Sequence, residues 1–464
     1  MDIINDALPK KVIVRHRSIV IIMLYLLYSN VTAQKSDILN DYYSLAIANN
    51  VDLKNKEIDI KKSVERLNQA KGLYLPKISF RSSYLLSYGG REIVVPAGDL
   101  INPVYDAMNQ ITGTNKYPHI DNVVEKFVPN NFANNELFLE QALLNTNIHY
   151  KHKILESENR IKGIQYESYL CNLKQEIFIA YYRYLLLIQT RNIFNLNMAT
   201  LKELSHITLK QYQAGVKTKL AINDVDYESE LIKNRMADVD ENINMCRAYF
   251  NQLLNRDLIE PIVIDSTLFN FEPDSLVKLE SEYLPAKNSN IILQREVVNL
   301  KGIIIEMNKR DAYLPKIYLE NRIGFQGYGY QFNQDRFFNF ARLNLVWNLY
   351  SGNIKNSKIR YTKYEQEQAN NELISIKNKV DLDIMSSKES LHMLLQKYQS
   401  TLALLRNTKE SYEIALTQYS SGKLLWVEMI DKQNKYISAQ TSLSISKFLI
   451  LIKYTEYLSK VEKL

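Results

Sequence analysis

Tyr74-Leu75-Pro76-Lys77-Ile78 occurs a second time, letter for letter, as Tyr313-Leu314-Pro315-Lys316-Ile317. Each copy stands between a helical pattern and an alternating pattern typical of a strand. A second motif follows each copy, since Gln211-Tyr212-x-x-Gly215 matches Gln418-Tyr419-x-x-Gly422. About 32 more residues separate the two motifs in the first half than in the second. The sequence therefore predicts two structural repeats, with an insertion in one loop of the first repeat.

The amino end has the features of a secretory signal peptide. Basic Arg15 and Arg17 precede an apolar run at 19–28, and Val31-Thr32-Ala33 suits cleavage before Gln34. The alternative is an uncleaved anchor, but a spanning helix needs roughly 20 apolar residues. We therefore expect residues 1–33 to be a cleaved signal peptide. Beyond them we expect no membrane-spanning helix, because no stretch of 18 uncharged apolar residues occurs.

Four segments show the alternation of a half-buried strand, at about 77–88, 137–148, 316–326 and 338–350. Each is about as long as the 9–11 residues of a tilted membrane strand. A soluble antiparallel sheet would show the same period, so that alternative stays open. The signal peptide and the restriction of charge to one face favour a membrane barrel with a polar lumen. Because four strands cannot close a barrel, several copies of the chain would have to share one.

Most of the remaining chain has helical periodicity. A heptad pattern runs through 353–419, and a second long helical stretch covers 150–212. As α-helices these stretches would each be about 100 Å long. Shorter helices are predicted at 36–71, 219–255, 288–311 and 424–463. Only 13 glycines and 10 prolines occur in 464 residues, which also favours long elements joined by few turns.

Proline marks two irregular segments. Three prolines interrupt the helical pattern in 256–287, which we predict to be an equatorial connecting region beside the long helices. Four more prolines lie in 89–135, which we predict to be an extracellular loop, because outer-membrane barrels carry their long loops on that side. These boundaries place the first repeat at 34–255 and the second at 288–464.

No residues in the sequence suggest an enzyme. His149 and His152 could share a helix face, but no cysteine or carboxylate completes a metal site, so a polar surface pair is the simpler interpretation. Cys171 and Cys246 fall in helical patterns and are expected to be unpaired core thiols. Gly324-x-x-Gly327-x-Gly329 lacks the helix and lysine of a phosphate loop. We expect no catalytic residues, cofactor or metal.

Charge argues against nucleic acid as a partner. The net charge of +7 is spread along the chain without a basic block.

The duplicated order of elements, the Leu-Pro-x-Ile strand entry and the Tyr-x-x-Gly turn together resemble the TolC family of outer-membrane efflux proteins, over about 34–464. The resemblance implies a mostly α-helical chain with a membrane β-barrel part. Two structural repeats, each of two strands plus long coiled-coil helices, would assemble as a trimeric α/β barrel duct. Its twelve-stranded barrel would lie in the outer membrane, and its helical barrel would form a large periplasmic part.

In that family the Tyr-x-x-Gly turns lie at the periplasmic tip, which closes the pore. The resemblance places Tyr212, Gly215, Tyr419 and Gly422 at these turns.

Acidic residues that follow the turns constrict the pore in the family, which implies this role for Glu428 and Asp431. The positions that match them after Gly215 are Ala221 and Asp224, so one acid is missing there. The alternative for Glu428 and Asp431 is that of acids in a first helical turn, favoured by the helix dipole.

The family docks a periplasmic adaptor, or membrane fusion protein, at these tips. The resemblance implies that Lys217, Thr218, Lys423 and Leu424 contact it, and a solvated turn is the equally simple alternative. An inner-membrane transporter of the RND or ABC type would supply the energy. The implied function is the passive outer-membrane channel of a tripartite efflux or type I secretion system. The alternative function is a secreted coiled-coil envelope scaffold without transport activity.

Overall fold

The computed structural model describes residues 38–273 and 288–464. The expected signal peptide (1–33) and residues 274–287 of the predicted connecting region lie outside these ranges. The helices are α1 (Ile38–Asn49), α2 (Val51–Gly72), α3 (Ala97–Thr112), α4 (Thr146–Gln213), α5 (Lys219–Leu253), α6 (Ser289–Tyr313), α7 (Ile354–Ser420) and α8 (Trp426–Lys460). The strands are β1 (Lys77–Leu85), β2 (Glu92–Val95), β3 (Val123–Lys126), β4 (Phe132–Leu144), β5 (Lys316–Tyr328) and β6 (Phe337–Val346).

The chain forms two compact units. The strand unit consists of residues 60–162 and 295–371. The helical unit consists of the described residues of 1–59, 163–294 and 372–464. Helices α4 and α7, of 68 and 67 residues, each contribute to both units. No described helix is both long enough and apolar enough to span a membrane.

Four strands of the strand unit form an antiparallel sheet in the order β1-β4-β5-β6. The register places every charged residue of these strands on one face, which we call the polar face. Its charged residues are five basic and three acidic: Lys77, Arg81, Lys316, Arg322, Arg342, Glu136, Glu140 and Glu320. The alternation that predicted the strands therefore separates charge from apolar surface across the whole sheet.

The opposite face, which we call the apolar face, leaves large hydrophobic side chains uncovered. Phe80 is 68% exposed and Leu343 is 65% exposed in the single chain. The polar side chains on this face bond to one another: Ser82 Oγ donates to Asn135 Oδ1 at 2.6 Å. Such pairing removes much of the cost of placing polar groups in apolar surroundings.

The second strand differs from its predicted bounds of about 137–148. It runs from Phe132 to Leu144, its register shifts between Ala142 and Leu144, and helix α4 begins at Thr146. Asn145 ends the strand, because its side-chain oxygen accepts from the Asn147 N–H at 3.1 Å and so caps the first turn of the helix. Leu144, Thr146 and Ile148 continued the alternation beyond the end of the strand by coincidence.

The segment 89–135, predicted to be a loop, contains regular structure. Strands β2 and β3 pair as a two-stranded antiparallel sheet, and α3 lies between them in sequence. The side chains of Asn102 and Asn109 on α3 each bond to backbone of the chain that follows. Asn102 accepts from Ile120 N–H and donates to Ile120 C=O, both at 2.9 Å. Asn109 makes the same pair of bonds with Tyr117. The segment is therefore folded, and one of its four prolines, Pro103, lies inside α3 itself.

The helical unit has a core rich in tyrosine. Tyr181 is fully buried, and its hydroxyl donates to Val263 C=O and accepts from Asp265 N–H, both at 2.9 Å. Tyr42 likewise accepts from Val263 N–H at 2.8 Å. Burial raises the pKa of Tyr181 to about 12, so its proton remains available for the first of these bonds. These contacts hold the described part of the predicted connecting region, residues 256–273, against the helices.

Candidate functional site

The two Tyr-x-x-Gly motifs end helices α4 and α7 in the same way. Gly215 and Gly422 have φ of 72° and 76°, in the left-handed region that favours glycine. In the first turn, Gly215 N–H donates to Tyr212 C=O and Val216 N–H to Gln211 C=O. Lys423 N–H and Gln418 C=O repeat the second of these bonds after α7, at 2.9 Å. Both turns are Schellman motifs, which satisfy carbonyls left open at a helix end.

The two turns lie side by side in the helical unit. A Cβ on Gly422 would stand 3.4 Å from Val216 Cγ1. The Gln211 amide nitrogen donates to Tyr419 C=O at 3.0 Å and to Ser420 C=O at 3.2 Å, the last carbonyls of α7. A side chain of the first motif therefore caps the helix that carries the second motif.

Lys217 joins the turns from the opposite direction. Its ammonium group donates to Leu424 C=O at 2.8 Å and lies 5.0 Å from the centroid of the Tyr419 ring. The lysine side chain therefore binds a backbone carbonyl beyond the second turn, and a cation–π interaction with Tyr419 supports this position.

The two motif tyrosines have opposite environments. Tyr419 is fully buried, and its hydroxyl lies 2.6 Å from Thr208 Oγ1. Because the Thr208 hydroxyl also lies 2.8 Å from Leu204 C=O and can donate there, Tyr419 serves as the donor to Thr208. Burial raises the pKa of Tyr419; the bond to Thr208 opposes this rise, and the charge of Asp224 adds to it. Tyr212 is 42% exposed, so the duplicated letters do not give duplicated packing.

Glu428 and Asp431, two of the acids implied by the resemblance, each have a partner within the chain. Glu428 is exposed, and its carboxylate accepts from Leu425 N–H at 3.4 Å, across the first turn of α8. Asp431 accepts a hydrogen bond from Lys435 Nζ at 2.8 Å, and Lys432 Nζ lies 3.6 Å away. The bond from Lys435 holds the pKa of Asp431 below its ordinary value, with help from Lys432. Asp224 is half-buried near Tyr419.

Glu428 and Asp431 also line a groove between the end of α7 and the start of α8. The groove has a volume of about 660 Å³. Its apolar wall includes Ile414 and Val427, which are 54% and 69% exposed in the single chain. The structure thus places both acids beside an uncovered apolar surface.

The residues implied to contact an adaptor differ in exposure. Thr218 and Lys423 are exposed, whereas Lys217 and Leu424 are half-buried. The Lys217 side chain contacts the Leu424 carbonyl, and the Leu424 side chain packs against the core that contains Tyr419. Thr218 precedes α5 as its N-cap residue without a side-chain capping bond.

Three residues of this site were not predicted to act there. Gln211, Thr208 and Trp426 hold the Tyr419 turn, and the Trp426 ring lies 5.6 Å from that of Tyr419. The sequence did contain a signal that Gln211 matters at the turn, because glutamine stands at the same position in both motifs. Nothing local distinguishes Thr208, because its partner is 211 residues away in sequence.

The described residues contain no group of three or more metal-ligating side chains arranged to hold an ion. His149 stacks edge-on against the neighbouring Tyr150, with 5.3 Å between ring centroids. Cys171 and Cys246 are both free thiols.

Comparison with solved structures identifies the fold. The chain is similar to the outer membrane protein VceC of Vibrio cholerae, with a TM-score of 0.71 and 11% identity over 91% of this chain and 95% of that one. It is also similar to the CmeC outer membrane channel of Campylobacter jejuni, with a TM-score of 0.72 and 13% identity over 92% and 86% of the two chains. The chain has the fold of outer-membrane channels. The open-state MtrE channel of Neisseria gonorrhoeae shares this fold, with a TM-score of 0.73 and 12% identity over 91% and 88% of the chains.

The similarity to outer-membrane channels comes from the comparison of three-dimensional structures and not from sequence searches. No protein-family model matches the sequence, and no curated protein matches it. The chain therefore shares this fold with channels to which it is only 11–13% identical in sequence.

Proposed function

We propose that this protein is a TolC-family outer-membrane channel, the passive exit duct of a tripartite efflux or type I secretion system. The observation that carries the proposal is the division of the four-stranded sheet into a charged face and an uncovered apolar face, within a fold shared with outer-membrane channels. An apolar outer face and a polar inner face are what a barrel in lipid requires.

Sheet edges support a homotrimer. β1 and β6 each pair on one side only in the described sheet, and a sheet edge exposed to lipid would leave backbone groups without partners. Pairing of β6 with β1 of the next copy satisfies both edges, and three copies give twelve strands. In this proposal 34–255 and 288–464 are two repeats of one unit, and the helices form the periplasmic part of the duct.

The paired turns are proposed as the periplasmic tip that gates the duct. In a trimer, Glu428, Asp431 and Asp224 would narrow the pore and favour cations there. Asp431 already has two lysine partners and Glu428 caps its own helix, so their field in the pore depends on how far these contacts open in the assembled tip.

A periplasmic adaptor is proposed to dock at the turns through Lys217, Thr218, Lys423 and Leu424. Docking would favour the open state of the tip by competing for the Lys217 contact with Leu424. The RND- or ABC-type transporter in the inner membrane would supply the energy.

Membrane fractionation and planar bilayers test the proposed function. A barrel trimer should stay in the outer-membrane fraction after a carbonate wash, migrate as a trimer on unheated gels and form conducting channels in bilayers. A secreted coiled-coil scaffold would wash off with carbonate and would not conduct. A stable, water-soluble monomer without detergent would exclude the proposal.

Variants test the assigned acids. Glu428→Ala with Asp431→Ala should lower cation selectivity and weaken block by multivalent cations, because both carboxylates are removed from the tip. The matched control is Glu230→Ala, which removes an exposed acid paired with Lys233 on α5. Unchanged selectivity and block in the double variant would remove the role of both acids while leaving the channel itself established.

A further inference from the structure

The polar face of the sheet carries three arginines on three different strands, Arg81, Arg322 and Arg342, which we call the arginine belt. Two phenylalanines on the same face lie between them. The register pairs Phe138 of β4 with Arg322 of β5, and pairs Arg322 with Phe340 of β6. Arg81 and Arg342 lie in the cross-strand rows on either side of this one, opposite Glu136 and Glu320, so the belt crosses the sheet over three adjacent rows of the polar face.

Aromatic rings, more than carboxylates, hold the belt in place. Arg81 Cζ lies 3.7 Å from the centroid of the Phe138 ring, and Arg322 Cζ lies 5.2 Å from it. On the other side, Arg322 and Arg342 lie 5.6 and 5.7 Å from the Phe340 centroid. Cation–π contacts fix the planes of the guanidinium groups without neutralising their charge.

One carboxylate, that of Glu136, lies close to two arginines of the belt. Glu136 Oε1 lies 4.0 Å from Arg81 Nη1 and 3.9 Å from Arg322 Nη1, and Glu136 is only 5% exposed. Glu320 stands opposite Arg342 in the register, but the structure shows no ion pair between Arg342 and any described residue. Arg322 Nε is buried and has no hydrogen-bond acceptor among the described residues. The arginines of the belt therefore keep a hydrogen-bond donor without an acceptor and more positive charge than the one carboxylate of Glu136 balances.

The rest of the polar face does not cancel this charge. Its other charged residues are two lysines and two glutamates, Lys77, Lys316, Glu140 and Glu320, so five basic and three acidic residues leave +2 per chain. Lys316 also has Asp311 of α6 within 3.2 Å. In three copies, nine arginines would surround the lumen with three Glu136 carboxylates.

We propose that the arginine belt attracts anionic solutes, so that the outer segment of the duct favours cargo bearing carboxylate, phosphate or sulfate groups. This inference rests on the proposed function, because the polar face must line a lumen. Planar guanidinium groups match such oxyanions in shape, and the low-dielectric wall of a barrel strengthens their field. The sequence cannot show the belt, because three separate strands must come into register to form it.

Reversal potentials across planar bilayers in a potassium chloride gradient test the inference. Arg322→Gln, and the triple variant with Arg81→Gln and Arg342→Gln, should shift the permeability ratio toward potassium, by roughly twofold or more for the triple variant. Arg322→Lys keeps the charge and should keep the wild-type ratio. Arg235→Gln removes an exposed arginine of α5, which belongs to the helical unit, and should also keep the wild-type ratio.

The outcomes distinguish a failure of the proposed channel function from a failure of the proposed role of the arginine belt. If the wild type forms no channels, the proposed function is wrong and the belt has no lumen to act in. If the wild type conducts but its permeability ratio is the same in Arg322→Gln and the triple variant, the inference alone is wrong. Trimer assembly is checked on unheated gels. Should the triple variant fail to assemble, Arg342→Gln decides, since Arg342 has no ion pair to lose.

Discussion

Gly422 and Gly215 both have the left-handed backbone conformation, but an added Cβ would meet a neighbouring side chain at Gly422 and open space at Gly215. Alanine at either position costs about 1–2 kcal/mol of conformational strain. We expect Gly422→Ala to lower the melting temperature more than Gly215→Ala, because its Cβ would stand 3.4 Å from Val216 Cγ1, the short limit of ordinary contact, and would leave little room for the backbone to relax. Gly163→Ala is the control, since Gly163 lies inside α4 with no atom within 4 Å and alanine favours a helix there. Equal losses at both turns would show that the turns separate in solution.

The two motif tyrosines differ in their hydroxyl groups, because that of Tyr419 forms a buried hydrogen bond whereas Tyr212 is exposed. Tyr419→Phe removes a buried bond to Thr208, and we expect a loss of about 1 kcal/mol in the free energy of unfolding. The loss is limited because Thr208 keeps Leu204 C=O as its acceptor. Tyr212→Phe is the matched control at the exposed motif position. Thermal unfolding in detergent measures both, and equal effects would contradict the buried environment of Tyr419.

At the level of elements, asparagine side chains hold the segment that follows α3 in the insertion between β1 and β4, in addition to the pairing of β2 with β3. Asn102 and Asn109 each bond both backbone groups of one residue in the following segment. Asn102→Ala should therefore speed hydrogen exchange of the Ile120 amide and leave the Tyr117 amide less affected. Gln110→Ala changes an exposed residue of the same helix and serves as control. Unchanged exchange at Ile120 would mean that its amide does not depend on Asn102.

A second element-level contact ties α4 to α6 in the strand unit. Burial raises the pKa of Glu296, but hydrogen bonds from Ser157, Arg160 and Asn299 outweigh it and bring the pKa below the ordinary 4.5. A lowered pKa in the folded state gives stability that is present above about pH 4.5 and is lost as the pH falls through the lower folded value.

Glu296→Gln should therefore flatten the decline in melting temperature between neutral and acidic pH. Exposed Glu241, on α5, provides the Glu241→Gln control, which should keep the wild-type decline. If both variants follow the wild-type curve, the Glu296 network contributes nothing to acid sensitivity.

Sequence patterns found the elements but misplaced those whose limits depend on side-chain bonds. The long helices begin and end within a few residues of their predicted limits, because heptad spacing and the glycine turns are local signals. β4 was shifted, since alternation extends past Asn145 although that residue caps α4. The insertion was predicted as a loop, because its asparagine bonds join residues 8 and 18 apart. The packing of Tyr419 depends on contacts with the other half of the chain.

For the whole molecule, the decisive feature is that one chain supplies four strands and two unpaired edges. Soluble proteins shield such edges with charge, proline or a covering element. The edge strands β1 and β6 carry charge on the polar face alone, and on the apolar face they expose large side chains, among them Ile78 and Leu345, at 65% and 60% exposure. A copy of the same chain is a partner that satisfies both edges at once, and closure by identical copies is the common form of protein oligomers.

Cysteine pairs on the two edges test this closure. In a chain lacking Cys171 and Cys246, Ser79→Cys on β1 and Asn344→Cys on β6 place both thiols on the polar face, at opposite edges of the sheet. Two strands separate β1 from β6, about 14 Å in total, so neither a disulfide nor a reagent of shorter span can join the two thiols of one chain. A short bifunctional thiol reagent should therefore give covalent dimers and trimers, because each β1 lies beside the β6 of a neighbour. Each single-cysteine variant should give none. A doubly substituted protein that stays monomeric after treatment, while its thiols react with a monofunctional reagent, would contradict a barrel shared among copies.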